Sequence, residues 1–368
     1  MTRVYYYTIS HLLLFLLPCL LGHAQSDSTS QKPYKNNILP SPAFTYSPRT
    51  DFVLGVYCLY QFKFNKKDFL TRPSNFNFYY GTSFKGHVFL STEHTLLTYQ
   101  EKYFLKGIIE YKNTPEPLYG IGNQSPNEEY LNVNYSSFEF KERVLKQYEK
   151  SKFIGLKVRY IHIFDVTYQN QNNESIPPPD IAGNNGGYYP GIGPVWMLDK
   201  RNSILTPTKN YYLDLVLMGY LNSNGGTFAS LEFDGRRYID FRKDSKRVLA
   251  LQVVAKNTFG SVPYNELALL GGKQIMRGYL LGRYRDKHSI QAQAEFRLNV
   301  VGRFGMTAFL GTGTVYEEVS DLQYLKAALG TGLRFNINRK DPANVRFDFA
   351  WSLTDKNNGI YITLGEAF

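Results

Sequence analysis

Asn344-Val-Arg-Phe-Asp-Phe-Ala-Trp-Ser-Leu353 alternates without a break. Successive side chains of an extended strand point to opposite sides, so Val345, Phe347, Phe349, Trp351 and Leu353 share one face. Arg346, Asp348, Ala350 and Ser352 share the other. Two architectures use such a stretch. A soluble sandwich turns the apolar face into its core, whereas a transmembrane barrel turns it toward lipid and keeps the polar face for the lumen.

The same pattern continues on both sides. In 289–298, Ile290, Ala292, Ala294, Phe296 and Leu298 oppose Gln291, Gln293, Glu295 and Arg297. In 328–336, Leu329, Thr331, Leu333 and Phe335 oppose Ala328, Gly330, Gly332, Arg334 and Asn336. Alternating segments recur from residue 39 to the end, separated by Gly, Asn, Asp, Pro and Lys clusters. They run from 42–48 and 51–64 to 344–353 and 359–368 and number about sixteen, an even count as a bacterial barrel requires. The longest connections, 114–129, 166–187 and 259–288, all follow odd-numbered strands and so emerge on one side. Short turns such as 100–101, 242–246 and 301–302 follow even ones, the asymmetry expected of external loops and periplasmic turns. The expected fold is all-β, a transmembrane antiparallel β-barrel of about sixteen strands.

Composition excludes the alternatives. Mean hydropathy is -0.34 and no apolar run of helix-spanning length follows the first 24 residues, so no transmembrane helix is expected. Tyr 30 and Phe 26 give an aromatic share of 16%, too much buriable surface for a disordered chain. Arg3, the apolar stretch from Leu12 to Leu21 and small residues at Gly22 and Ala24 read as a secretory signal over 1–24. Residues 25–38, rich in Ser, Gln and Lys without periodicity, read as a flexible periplasmic arm, and 39–368 as the barrel. The formal charge of +11 falls to +10 without Arg3. Export argues against nucleic acid as the partner and for outer-membrane lipid and lipopolysaccharide. Cleavage leaves Cys58 alone, so no intrachain disulfide forms, and its place in an alternating apolar stretch reads as structural.

Three stretches resemble the BamA/TamA family of outer-membrane assembly and transport barrels, also called the bacterial surface antigen family. In Leu270-Gly-Gly-Lys-Gln-Ile-Met-Arg-Gly-Tyr279, the triplet Arg277, Gly278 and Tyr279 looks like the family's signature in the sixth external loop. Gly191-Ile-Gly-Pro-Val-Trp-Met-Leu-Asp199-Lys-Arg201-Asn202, followed by Pro207-Thr-Lys-Asn210-Tyr211, resembles a family turn in which Asn210 replaces Gly. Asn tolerates positive φ and can keep such a turn. Ile362-Thr-Leu-Gly365-Glu-Ala-Phe368 is similar to the terminal strand by which such barrels are recognised for insertion, with Ile362, Leu364, Gly365 and Phe368 as the signal residues. A terminal aromatic on that face is expected at the interfacial girdle.

The resemblance implies that loop 6 folds inward and that its Arg is held by acids on strands 12 and 13. Glu295 matches the first, while Gly311 stands where the second is expected. A guanidinium in a dry wall is costly unless paired, and Asp348 lies on a lumen-facing register nearby, so the expected anchor is Arg277 with Glu295 and Asp348. Gly311→Asp is expected to restore a second acid on strand 13. Gly311-Thr-Gly313 and Gly330-Thr-Gly332 read as lumen-side space for a packed loop. Assembly factors of this family carry periplasmic POTRA domains, which 25–38 is too short to hold, so a version without them is expected, acting with a separate periplasmic or outer-membrane protein partner.

No Gly-x-Ser-x-Gly elbow, His-Glu-x-x-His or paired Cys occurs, and His87, His94, His162 and His288 are scattered. The chain is therefore expected not to be an enzyme and to need no metal or cofactor. Two functions remain: insertion or translocation of envelope components, or a passive pore or structural subunit. A folded-in loop 6 opposes the pore. Pro42 and Pro48 flank the first strand and limit its ladder, which points to a lateral seam between it and 359–368.

Overall fold

The computed structural model describes residues 33–47, 49–68, 71–126, 130–204, 206–338, 343–355 and 357–368. The expected signal over 1–24 and residues 25–32 of the expected arm lie outside them. Sixteen long strands follow one another: β1 (Asn37–Ser47), β2 (Asp51–Phe62), β3 (Ser74–Ser83), β4 (Val88–Leu97), β5 (Tyr103–Leu118), β6 (Leu131–Glu149), β7 (Lys152–Gln169) and β8 (Gly187–Asp199). The second half is β9 (Asn210–Leu221), β10 (Thr227–Asp240), β11 (Arg247–Gly260), β12 (His288–Val301), β13 (Phe304–Tyr316), β14 (Lys326–Asn338), β15 (Ala343–Ser352) and β16 (Asn358–Leu364). Each pairs antiparallel with its sequence neighbours, and β1 also meets β16, so the sheet closes on itself. Among the described residues no helix is long and apolar enough to cross a membrane.

The alternation is inverted relative to a soluble core, as a barrel requires. On β15, Val345, Phe347 and Trp351 are exposed on the outer wall while Arg346, Asp348 and Ala350 are buried inside. On β12, Ile290 and Phe296 face out, and Gln291, Gln293 and Glu295 face in. Phe76, Phe78, Phe138, Leu156, Leu215 and Leu217 continue the apolar wall elsewhere. An outer surface this apolar is stable only against hydrocarbon. Cys58 falls on the same parity of β2 as the exposed Leu54 and Val56, on the outer wall.

Several boundaries differ from the sequence reading. Strand β1 starts at Asn37, inside the stretch read as an arm, because Asn37 still pairs with Gln61 of β2. Strands β5, β6 and β7 reach 16, 19 and 18 residues, well past the roughly ten that cross a bilayer. Their extra length was read as loop, since outside the hydrocarbon the alternation is no longer enforced. The connections after odd strands do include the longest, 170–186 and 261–287. Those after even strands are not uniformly short: 63–73 folds on itself, with the Thr71 amide donating to Asp68 Oδ1 at 3.1 Å. Arg72 then ties this connection to Glu101 at 2.7 Å and Asp199 at 3.2 Å.

The terminal aromatic is also placed differently. Gly365 adopts φ +85°, a conformation that favours glycine, and turns the chain out of the sheet after Leu364. Ala367 and Phe368 then pack inside the barrel against Tyr238, Val248 and Ala250, so Phe368 lies in the lumen and not in the outer girdle.

Candidate functional site

The lumen-facing row of β12 holds loop 6 residue by residue. Gln291 Nε2 donates to the Leu269 carbonyl at 3.0 Å, and its Oε1 accepts from the Gly271 amide at 3.2 Å. Two residues along, Gln293 Nε2 donates to the Gln274 carbonyl at 2.9 Å. Glu295 accepts from Arg277, and Arg297 donates to the main-chain oxygen of Phe368 at 2.9 Å. A strand's period of two thus lines up four side chains, three gripping the loop and one gripping residue 368. The loop itself is stiffened by a short ribbon of Ala268–Leu270 against Tyr284–Asp286.

Arg277 lies at the centre of this arrangement with no exposed side-chain surface. Its Nη2 is 2.7 Å from Glu295 and its Nη1 is 2.6 Å from Asp348. The guanidinium stacks on the Phe309 ring, 3.5 Å from its centroid, a cation–π contact strengthened by the dry surroundings. Gly311, the position lacking an acid, has the opposite use. A Cβ there would stand 3.2 Å from Met276 Sδ, so the missing side chain is the space the loop occupies. At Gly278, φ is +106° and a Cβ would come within 2.9 Å of the Trp351 backbone, so the loop touches the wall only because residue 278 has no side chain. The Gly278 amide donates to Tyr361 Oη at 2.9 Å, and Tyr279 Oη donates to the Ala327 carbonyl at 3.0 Å. Outside the spanning strands, burial pushes the Tyr284 phenol up, helped by its hydrogen bond to Asp355 at 2.9 Å.

The triad belongs to a larger network. Arg334 bridges Asp348 at 2.6 Å, Glu295 at 3.4 Å and Glu366 at 2.9 Å. Arg297 reaches Glu295 at 2.7 Å, and Arg346 reaches Asp348 at 3.3 Å. Four guanidiniums therefore share three carboxylates, all buried or nearly so, and each carboxylate has more than one cation. Arg297 also donates to the Pro207 carbonyl at 3.2 Å, which joins the network to connection 200–209. Sequence reading placed Arg297, Arg334 and Arg346 on lumen faces without giving them a role, and missed Phe309, Tyr361 and Glu366. The parity of Arg334 and Arg346 was the available signal. Phe309 carried none, because an aromatic on a polar face reads as an exception.

The remaining motif residues lie at two other places. Asp199 accepts from Arg201 at 2.9 Å, Asn202 Oδ1 accepts from the Thr208 amide at 3.0 Å, and Asn210 has φ +72°, the conformation expected of a Gly replacement. Among the described residues only Tyr46 and Ile362 are in register between β1 and β16, whereas β1 and β2 share eleven register pairs. Pro42, expected to flank the first strand, lies inside β1 with Pro40 on the same parity, because the strand starts at Asn37, and Pro48 lies outside the described residues. A proline has no amide hydrogen to give a ladder, and by the seam register Pro42 and Pro40 lie beyond the end of β16 at Leu364.

A sequence model of the Omp85 superfamily domain matches residues 57–368. No curated protein matches the chain in sequence. Among solved structures, BamA from Haemophilus ducreyi lacking POTRA domains 1–3 is similar, with TM-score 0.58 at 12% identity, covering 90% of this chain and 70% of that one. CdiB from Acinetobacter baumannii gives TM-score 0.54 at 11% identity, covering 90% of this chain and 65% of that one. CdiB from Escherichia coli gives 0.56 at 10%, covering 92% and 63%. This chain thus spans under two thirds of either CdiB chain, and at such identities the likeness is one of fold.

Proposed function

Because this chain belongs to the Omp85 superfamily, whose β-barrels are bacterial outer-membrane proteins, we propose that it resides in the outer membrane and inserts or translocates proteins or other envelope components there. In this reading it works with a separate periplasmic partner, is surrounded by outer-membrane lipid and lipopolysaccharide, and catalyses no covalent chemistry.

The supporting observation is the seam. A net backbone hydrogen bond is worth about 1 kcal/mol, so parting strands that share one register pair among the described residues costs far less than parting β1 from β2. An open seam exposes two strand edges, and an exposed edge is a template for an incoming strand. Loop 6, clamped by the β12 row and Arg277, keeps part of the lumen filled, which supports lateral exchange over free flow through a pore.

The test is a disulfide across the seam. Facing residues of an antiparallel pair lie at a separation a disulfide can span, so Tyr46→Cys with Ile362→Cys, in a Cys58→Ser background, locks it. Outer-membrane proteomes are then compared between cells with the free, locked and deleted chain. The expected result is that locking reproduces the deletion and a reductant reverses it. A locked chain that behaves as the free one would refute the lateral mechanism. Deletion that changes no envelope protein would refute the function.

A further inference from the structure

Charge is unevenly placed along the barrel axis. The end bearing connections 200–209 and 241–246 carries Lys200, Lys209, Arg237, Arg242, Lys243 and Lys246. The opposite rim carries Glu174, Asp180, Glu317 and Glu318. Within the basic end, one group faces sideways and not toward the tip of a turn. Tyr211 of β9 and Arg237 of β10 are register partners on the parity of the exposed Leu215, Leu217 and Leu251, so they stand on the outer wall. Lys200 Nζ lies 5.3 Å and the Arg237 guanidinium 5.7 Å from the Tyr211 ring centroid, so one aromatic ring holds two cations beside it. Both cations are exposed, and neither makes an ion pair among the described residues. Of the acids at this end, Glu149 pairs with Lys152 at 2.7 Å, Asp240 accepts from the Ser245 amide at 2.9 Å and Asp244 from the Lys246 amide at 2.9 Å. Four residues along β9 from Tyr211, at the register of Leu215, Trp196 Nε1 donates to Tyr148 Oη at 2.9 Å. Toward the membrane middle the wall turns apolar, with Ile154, Leu156, Leu215 and Leu217 exposed.

We propose that Lys200, Arg237 and Tyr211 form a binding site for the phosphate headgroup of an anionic phospholipid in the periplasmic leaflet, with its acyl chains along the apolar wall above. This deepens, and rests on, the reading that the barrel spans the outer membrane with 200–209 on the periplasmic side. A guanidinium and an ammonium beside one ring offer a fork and a point charge to phosphate oxygens. The ring restrains both side chains, which lowers the entropy lost on binding. An acidic protein would meet the turn tips, whereas this cluster faces sideways on the outer wall.

Trp196 supplies the probe, because the chain has two Trp and Trp351→Phe leaves it alone. The protein is reconstituted in phosphatidylcholine vesicles with phosphatidylglycerol, with either lipid brominated on its acyl chains, and quenching of Trp196 is compared. Each unneutralised cation biases an anionic lipid about fivefold, so brominated phosphatidylglycerol should quench well beyond its mole fraction. Lys200→Gln with Arg237→Gln should return quenching to the mole fraction. Equal quenching in the parent, or a preference that survives the double change, overturns the site. Inorganic phosphate that abolishes the preference assigns the site to free phosphate and overturns the lipid. Lys209→Cys, labelled by an impermeant maleimide in intact cells, would mark failure of the orientation as distinct from failure of the site.

Discussion

Arg277→Ala tests the inward clamp of loop 6 most directly. The change removes two charge-assisted bonds of 2.7 and 2.6 Å and the stacking on Phe309. Removing one partner of a buried ion pair costs about 3–5 kcal/mol, chiefly because the other is left unpaired. Here neither acid is left unpaired. Glu295 keeps Arg297 and Arg334, and Asp348 keeps Arg334 and Arg346. The loss should therefore fall at the low end, about 3 kcal/mol, or about two powers of ten in the released population of the loop. Glu295→Gln works the other way, because four guanidiniums would then share two carboxylates, so it should cost more than Arg277→Ala. The assay is the rate of proteolysis within 270–286 for purified, heat-modifiable protein, with cleavage sites mapped by mass. The expected order of rates is Glu295→Gln above Arg277→Ala above the parent. Arg277→Ala cleaved at the parental rate, or faster than Glu295→Gln, would show that the network does not hold the loop in this way.

Three further outcomes follow from other contacts. Gly311→Asp should destabilise by about 1–3 kcal/mol, because its Cβ meets Met276 Sδ at 3.2 Å; urea midpoints should show the loss and its recovery with Met276→Ala. Phe368→Ala should lower stability by about 3–5 kcal/mol through the cavity left against Tyr238, Val248 and Ala250, and a melting temperature equal to the parent's would contradict that packing. Burial, with repulsion from Arg49, pushes His87 in the 84–87 turn down to about 4. The unfolded chain takes up this proton near 6.5, so the stability His87 contributes is full above about 6.5 and is lost as pH falls to about 4. His87→Gln should flatten the drop in urea midpoint between pH 7 and pH 5, and an equally steep drop would rule the imidazole out.

The barrel was legible because hydrocarbon enforces a strict period of two. Val345, Phe347 and Trp351 had to face out once Arg346 and Asp348 faced in. Where lipid no longer imposes the rule, the alternation does not report strand: β5 past 113, β7 past 165 and β6 past 142, at its short-turn end, read as loop, and Phe368 is misplaced by extending a parity that Gly365 breaks. A positive φ at a glycine leaves no mark in an alternating pattern. At the site, Glu295 and Asp348 are legible as charges on lumen registers, whereas Arg277, in a loop without register, is placed by the resemblance. Phe309 and Tyr361 were not visible, because they act through ring position and a hydroxyl that periodicity does not report.

The placement of loop 6 and residues 365–368 inside the wall constrains the order of assembly. Arg277 meets Asp348 across 71 positions, and Arg297 meets Phe368 across another 71. Strands β13 to β16 follow loop 6 in the chain, so the cylinder can finish only with its contents already in place. A completed ring would have to admit a clamped, charged segment past its own rim. Wrapping the last hairpins around a preformed β12–loop 6 unit avoids that barrier, at the cost of delaying closure until distant residues meet. The slow step of folding is then the arrival of Asp348 and Phe368, and half-wrapped chains, open at the strands that pair last, are the species the cell must escort.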